Sequence, residues 1–361
     1  MSVVELAGPG AQASALHPPA ASVAVEHPFQ FNGDAHEYFR IWIVNLALSI
    51  VTLGIYSAWA KVRTLRYFYA NTRVAGAPFE YLAQPLPILK GRILALTVFG
   101  SYVVSGHFLP ALQLALAGVI ALVVPWMVVR GLRFHARYSA WRSLSFRFVG
   151  GYSQAYIRYL LLAFAVVFSL GFAYGYVKWK QRQYMVENHR YGGKAFKFHA
   201  VPGDFFPVYL TAMGLGFLWV LIVVFATIPI MAHGYAAGPP PQWKVFTIVG
   251  LEYFGFFLIG IYVIARISNV VYNNAELDGH RFRSTLRARD LMRLYIVNTL
   301  AILCSLGMLI PWAMIRMAKY RAAQLVLVAQ GDLAAFVAEA SAEESAVGAE
   351  MDILFDVDLG F

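Results

Sequence analysis

One acidic residue, Glu252, lies inside the otherwise uncharged run FTIVGLEYFGFFLIGIYVIA, which has the length and composition of a membrane-spanning helix. An ionisable group inside a bilayer is unfavourable unless it is paired, protonated or hydrated, and such groups often mark proton or ion pathways. A low dielectric disfavours the carboxylate form, so this side chain could gain and lose a proton during transport. The alternative is a protonated carboxyl that only hydrogen-bonds to a neighbouring helix. Glu252 is the candidate functional residue within the membrane.

A second pattern pairs an aromatic residue with a basic residue four positions later, at five places in the chain. Residues four apart share one helix face. An aromatic ring at the headgroup level would therefore place the cation near lipid phosphates. The candidate lipid-interface residues are Trp59, Arg63, Arg66, Trp126, Arg130, Arg133, Lys180, Arg266, Trp312 and Arg316. The sequence thus predicts anionic membrane lipids as partners.

The remaining residues form no catalytic or metal-binding motif. The chain has no Walker A loop and no HExxH motif, and its one cysteine, Cys304, can form no intrachain disulfide. We therefore expect no metal, no cofactor and no enzymatic activity. The net charge of +10 in so apolar a chain is typical of loops that face anionic lipid, and we expect no nucleic-acid binding.

These residues belong to five copies of one sequence unit, anchored on Trp59, Trp126, Tyr176, Tyr262 and Trp312. In each copy a polar residue, usually Asn, follows twelve positions later and is predicted to end the helix. A turn signal such as Asp278-Gly279 comes next, followed by an alternating strand such as Phe196-Lys197-Phe198. We expect these strands to meet as a small cytosolic sheet. Independent interfacial hairpins are the alternative.

Seven apolar segments surround the copies, at about residues 41–60, 93–105, 110–129, 159–177, 206–230, 246–265 and 294–315. Basic residues cluster around every copy, and the positive-inside rule therefore places all five copies in the cytoplasm. Because only one segment separates copies two and three, we favour four spans and three re-entrant segments. These would break at Leu53-Gly54, Leu170-Gly171 and Leu306-Gly307. Seven ordinary spans remain the alternative.

Composition agrees with a membrane protein, since 60% of the residues are hydrophobic and 13% are charged, against about a quarter charged in soluble domains. We predict an all-α, multi-pass integral membrane protein built from internal repeats, with short cytosolic β-hairpins between the helices. Residues 29–335 form the repeat-built membrane domain. Residues 1–28 are predicted to be a disordered tail, and residues 336–361 an acidic tail.

The segments FQFNGDAHEYFRIWIVNLALSIVTLGIYSAWAKVRTLRYFYANT and PFEYLAQPLPILKGR resemble the YjgN-like family of uncharacterised bacterial inner-membrane proteins. RFRSTLRARDLMRLYIVNTL and PWAMIRMAKYRAAQL resemble its C-terminal part, so the resemblance covers about residues 28–335. It implies a multi-pass protein of the bacterial inner membrane. It implies no catalytic or substrate-binding residue, and the two tails depart from the family pattern.

Two function classes follow. Internal repeats could frame the path of a transporter or channel. Alternatively, a non-catalytic membrane protein could organise lipids or partners through a basic cytosolic face. A polar cavity at mid-membrane that reaches Glu252 would favour the first class. The sequence leaves the substrate and the oligomeric state open.

Overall fold

The computed structural model describes the backbone of residues 24–237 and 241–355 and the side chains of residues 24–228 and 241–345. The helices are α1 (Ala35–Val51), α2 (Ser57–Asn71), α3 (Pro85–Phe108), α4 (Pro110–Arg137), α5 (Tyr152–Tyr156), α6 (Leu162–Phe168), α7 (Tyr174–Glu187), α8 (Pro202–Ala237), α9 (Gln242–Asn273), α10 (Ala288–Cys304), α11 (Ile310–Ala323) and α12 (Leu333–Phe355). A π-helical turn, Ile157–Leu161, joins α5 to α6. The strands are β1 (Ala24–Pro28), β2 (Gln30–Phe31), β3 (Thr72–Val74), β4 (Ala77–Tyr81), β5 (Ser139–Trp141), β6 (Leu144–Phe148), β7 (His189–Tyr191), β8 (Lys194–Phe198), β9 (Ala275–Leu277), β10 (His280–Ser284) and β11 (Leu325–Gln330).

All eleven strands form one antiparallel sheet that nearly closes on itself, in the order β1-β11-β10-β9-β8-β7-β6-β5-β4-β3-β2. Its two end strands are joined by the single residue Phe29, whose backbone N–H donates to the carbonyl of Leu325 at 2.9 Å. We call this sheet the strand ring. The predicted all-α class is wrong, because the hairpins of the repeats pair with one another as one barrel-like sheet between the helices.

The repeat is visible in the backbone hydrogen bonds of the ring. Each repeat helix ends in a residue whose carbonyl accepts an N–H from the end of a neighbouring strand, at 2.9–3.0 Å in all five copies. The donor and acceptor pairs are Asn32 and Asn71, Leu82 and Tyr138, Val149 and Asn188, His199 and Asn274, and Thr285 and Gln324. In three copies the Asn side chain also donates to the carbonyl four residues earlier, which ends the helix. The repeated sequence pattern thus sets where each helix passes into the ring.

The hairpins turn where the sequence places small or turn-forming residues. At Asp278-Gly279 both residues have positive φ, +48° and +85°, which a two-residue turn of this kind requires. The same turn in the second copy contains Ser143 at φ +64°, a conformation that favours glycine.

Four helices, within α3, α4, α8 and α9, are long and apolar enough to cross a membrane among the residues described. The other three apolar segments are interrupted at Leu53-Gly54, Leu170-Gly171 and Leu306-Gly307. The Leu φ is +48° to +49° and the Gly φ is +90° to +92° in each. The chain reverses there, so that α1 packs against α2 and α10 against α11. The three leucines are 94%, 85% and 94% exposed.

The ends of the chain contribute to the ring. Residues 24–28, assigned by sequence to the tail, form β1 along β11. Residues 333–345, which include the start of the predicted acidic tail, are helical and lie across one end of the ring. Leu333, Phe336 and Ala340 are buried there against ring residues such as Tyr191. Residues 1–23 and 356–361 of the predicted tails lie outside the described residues.

Candidate functional site

The strand ring and α12 enclose an apolar cavity of about 210 Å³, which we call the α12-side cavity. Its walls are aromatic and aliphatic, with His280 as the one titratable side chain other than Tyr191 among the described lining residues. The lining residues are Phe79, Trp141, Phe146, Tyr191, Phe196, Leu277, His280, Phe282, Leu327, Leu333 and Phe336. Such a cavity is suited to a hydrocarbon group and unsuited to an ion, because a charge would lose its hydration there.

One layer of side chains separates this cavity from two further cavities, which lie between the ring and the helices. Phe79, Phe146, Phe196 and Phe282 occupy the same position in four repeats, twenty residues after the aromatic anchor. Each of the four lines the α12-side cavity and also a cavity between the ring and the helices. We call these four residues the phenylalanine collar. It is the narrow layer between two apolar spaces.

On the helix side of the collar lie two cavities of about 560 and 520 Å³. They share the lining residues Tyr69, Phe146, Ser268 and Tyr272, so they adjoin, and we call them together the helix-side chamber. The walls come mainly from the last turns of α2, α7, α9 and α11 and from the strands that follow. The chamber therefore lies where the repeat helices converge on the ring.

The repeat pattern explains which side chains face the chamber. Positions six, nine and ten after each anchor lie on one helix face, because they differ by one turn. Several of these positions line the chamber: Arg182, Ser268 and Ala318 at position six, Met185, Val271 and Arg321 at position nine, and Tyr69, Val186, Tyr272 and Ala322 at position ten. Most are apolar or hydroxylated. Arg182 and Arg321 are the two guanidinium groups among the described lining residues.

Neither of these two arginines forms an ion pair within the part of the chain that the structure describes. The Arg182 Nη1 atom lies 3.9 Å from the sulfur of Met185. The Arg321 Nη2 donates to the hydroxyl of Tyr295 at 3.1 Å. No acidic side chain occurs among the described lining residues of the chamber. Two cations without carboxylate partners favour an anionic ligand head, and the apolar walls favour a hydrocarbon chain.

His189 also lines the chamber, and burial lowers the pKa of its imidazole. Its Nδ1 contacts the carbonyl of Met185 one turn earlier, at 2.5 Å. The ring is therefore neutral near pH 7 and adds no charge to that of the two arginines.

The aromatic–basic pairs predicted from the sequence lie outside this chamber. The charged group sits over the anchor ring in three copies: Arg130 is 5.3 Å from the Trp126 centroid, Arg316 is 5.1 Å from Trp312, and Lys180 is 6.0 Å from Tyr176. Arg63 and Arg266 are exposed, and Trp59 is half-buried. None of these five pairs lines the chamber, and we call them together the outer belt.

Arg66 and Arg133 have a structural partner instead. Arg66 donates to the carbonyl of Ala83 at 3.1 Å, and Arg133 to that of Gly150 at 3.0 Å. Asn269 makes the equivalent bond to Leu286 at 2.8 Å in the fourth copy. Each of these bonds joins a repeat helix to a backbone carbonyl seventeen residues later, in the loop that follows the strand. The repeated polar position seven residues after the anchor is therefore explained by chain geometry.

Glu252 is not part of the chamber. It lies in α9 about twelve residues before Ile264, the first chamber residue of that helix, which is about 18 Å along the axis. Its side chain is half-buried, and it has no hydrogen-bond partner among the side chains described. The sequence reasoning missed Arg182 and Arg321, because it followed positions that are basic in most copies. These two positions are basic in one copy each.

The comparisons with known proteins point to one family. The model of the family described as "Bacterial protein of unknown function (DUF898)" matches residues 26–353. The chain is 36% identical over 128 residues to the inner membrane protein YjgN of Salmonella typhimurium, across 34% of this chain and 31% of that protein. It is 32% identical over 123 residues to the protein of the same name from Escherichia coli K12, with the same two shares. The match thus spans about a third of the length of these curated relatives. No solved structure matches.

Proposed function

This chain belongs to the DUF898 family of bacterial proteins, and we propose that it is a non-catalytic membrane protein that binds an anionic amphiphile in the helix-side chamber. Its relatives are inner membrane proteins of unknown function, and the chain is a bacterial inner-membrane protein. An anionic amphiphile is a molecule with an acidic head and a hydrocarbon chain, such as a fatty acid or an anionic phospholipid.

One observation carries this proposal: Arg182 and Arg321 line a chamber whose other described lining residues are apolar, hydroxylated or, in His189, neutral, and none of which is acidic. Arg182 is half-buried without a carboxylate partner among the described residues, so an acidic head beside it would gain a charge-assisted hydrogen bond. Arg321 is exposed, and it would add a second cation at the edge of the chamber. The aromatic and aliphatic walls would gain from burial of the chain. The outer belt of aromatic–basic pairs, Arg63, Arg130, Lys180, Arg266 and Arg316, would hold the surrounding anionic lipid at the membrane surface.

We further propose that the repeat copies face the cytoplasm, as the positive-inside rule predicts. The three exposed Leu-Gly tips support this topology, because a segment that reverses at its tip returns to the side from which it came. Cysteine labelling of an Arg190→Cys variant in a Cys304→Ala background tests it. Labelling from the periplasm of intact cells would show that the third copy has crossed.

The binding experiment uses the purified full chain in nanodiscs of neutral lipid, with palmitate as the first probe. We expect the double variant Arg182→Gln/Arg321→Gln to lose at least tenfold in affinity, about 1.4 kcal/mol. Arg137→Gln is the matched control, because Arg137 is exposed and absent from the chamber lining. Equal affinity in all three proteins would contradict an anionic head in the chamber. A loss restricted to dioleoylphosphatidylglycerol would identify a phospholipid.

A transporter is the second candidate, supported by the half-buried Glu252 within an apolar span. Proton coupling requires that Glu252→Gln, which keeps shape but cannot titrate, abolish a pH-driven flux of the probe in proteoliposomes. Glu187→Gln, at an exposed residue of α7, is the control. Flux that is undiminished in Glu252→Gln would remove proton coupling through this residue.

A further inference from the structure

We propose that the hydrocarbon chain of the bound amphiphile passes the phenylalanine collar and ends in the α12-side cavity, with α12 as the cover of that end. This inference rests on the proposed function, and it adds the position of the chain and the element that closes its site.

The first support is the size and lining of the cavity. Its volume is about 210 Å³, and an apolar cavity of about 150 Å³ stays dry and binds benzene. The polar groups of the wall already have partners: the Tyr191 hydroxyl donates to the carbonyl of Trp141 at 2.9 Å, and the His280 Nδ1 accepts the backbone N–H of Gln330 at 3.1 Å. The Trp141 indole N–H donates to the carbonyl of Ala77 at 3.4 Å. A hydrocarbon end therefore fills this space better than solvent does.

The second support is continuity with the chamber. All four collar residues line both spaces, so no further layer lies between them. None of the four is fully buried. Phe196 and Phe282 stack at 6.4 Å between centroids, whereas Phe146 is stacked with none of the other three collar rings. A change of side-chain rotamer, without movement of a strand, would connect chamber and cavity.

The third support is the way α12 closes the far end. Phe336 covers the cavity and contacts Tyr191 and His280, with ring centroids 6.0 and 4.5 Å apart. The edge of the helix is held by ion pairs rather than by apolar contact. Lys194 meets Glu339 at 2.6 Å and Glu343 at 2.8 Å, and Arg147 meets Glu344 at 3.0 Å. An apolar inner face with an ionic edge is what a cover over a hydrocarbon site needs.

The test is photo-crosslinking of the full chain in nanodiscs, with palmitic acid that carries a diazirine at its methyl end. Peptide mass spectrometry then locates the adducts. We expect them on ring-interior and α12 residues that line the cavity alone, such as Leu277, Leu327 and Phe336. Leu277→Trp, which fills the cavity, should lower this adduct yield at least fivefold. Leu327→Phe is the second filling variant if the first folds poorly.

The same substitution at a lipid-facing position, Leu300→Trp, is the matched control, because Leu300 is 56% exposed on α10. It should leave the adducts unchanged. Adducts confined to chamber residues such as Ser268 and Tyr272 would overturn this inference and leave the proposed function intact. Adducts in neither space, together with unchanged palmitate affinity in the chamber variants, would overturn both. Undiminished cavity adducts in both filling variants would also overturn the inference.

Discussion

Removal of the Lys194 charge should loosen α12 without unfolding the ring. The Lys194 Nζ atom lies 2.6, 2.8 and 3.1 Å from carboxylate oxygens of Glu339, Glu343 and Asp278. Hydrogen bonds to Glu339 and then Glu343 raise its pKa well above the usual lysine value, so the side chain stays charged at every pH of interest. In the variant Lys194→Met, these three acids keep their charges and lose the shared cation.

The size of the effect follows from the exposure of the partners. Lys194 is 13% exposed, whereas the Glu339 and Glu343 side chains are 62% and 43% exposed. Ion pairs of this kind contribute about 0.2–1 kcal/mol each. The two pairs to α12, with repulsion among the remaining acids, give about 1–2 kcal/mol. That free energy corresponds to a change of about 5–30-fold in the local opening equilibrium.

Hydrogen–deuterium exchange of peptides from residues 333–345 measures this opening. We expect exchange in Lys194→Met to rise by that factor. It should stay unchanged in Lys197→Met, which removes an exposed lysine from the same strand. Wild-type exchange should approach that of the variant in about 1 M salt, where the Debye length is about 3 Å. Unchanged exchange in α12, or equal acceleration in every strand of the ring, would refute an ionic edge on this cover.

Three further outcomes follow from single side chains. Ser143→Gly should raise the thermal stability by about 0.5–1 kcal/mol, because residue 143 has φ +64°; a lower melting temperature would contradict this. Asn298→Leu should destabilise the protein by about 1–2 kcal/mol, because the Asn298 amide is hydrogen-bonded to the carbonyl of Ala313 and to Arg316. Asn45→Leu should leave stability unchanged, because both amide atoms of Asn45 are buried without a partner among the described residues. Equal losses in thermal melts would show that Asn45 has a partner of its own. Burial lowers the His280 pKa, although Asp278 opposes this; the unfolded state therefore binds a proton first, and stability should drop as the pH falls through about 6.5. His280→Leu should reduce that drop, and an equal drop in both proteins would exclude His280 as its source.

The local features of the fold were accessible from the sequence because short-range rules govern them. Asp278-Gly279 specifies its own turn, and Asn71 ends its own helix through a bond to the carbonyl of Tyr67. The three Leu-Gly pairs likewise interrupt their helices where the repeat alignment places them. These interactions involve neighbours in the chain, and repetition strengthens each weak signal.

The strand ring and its two spaces depend on long-range pairing that no local pattern encodes. β8 pairs through Phe196–Phe198 with β9 of the next copy, and through Lys194 and Ala195 with β7 of its own hairpin. Alternation alone does not distinguish a separate hairpin from a ring. Similarly, the acids of residues 336–361 suggest a solvated tail, but Glu339 and Glu343 lie beside Lys194 of the ring. Arg182 and Arg321 likewise come to line adjoining cavities only because the helices converge.

The adjacency of β1 and β2 in the chain has a consequence for biosynthesis. Ala24 pairs with Gln330, about 300 residues later, so the ring cannot close until β11 has been made. Contacts of such sequence separation form late, because the loop between them must first be ordered. Local hairpins such as β9–β10, whose strands are adjacent in the chain, can form first. We therefore expect the pairing of β1 with β11 to be the last step in the formation of the ring.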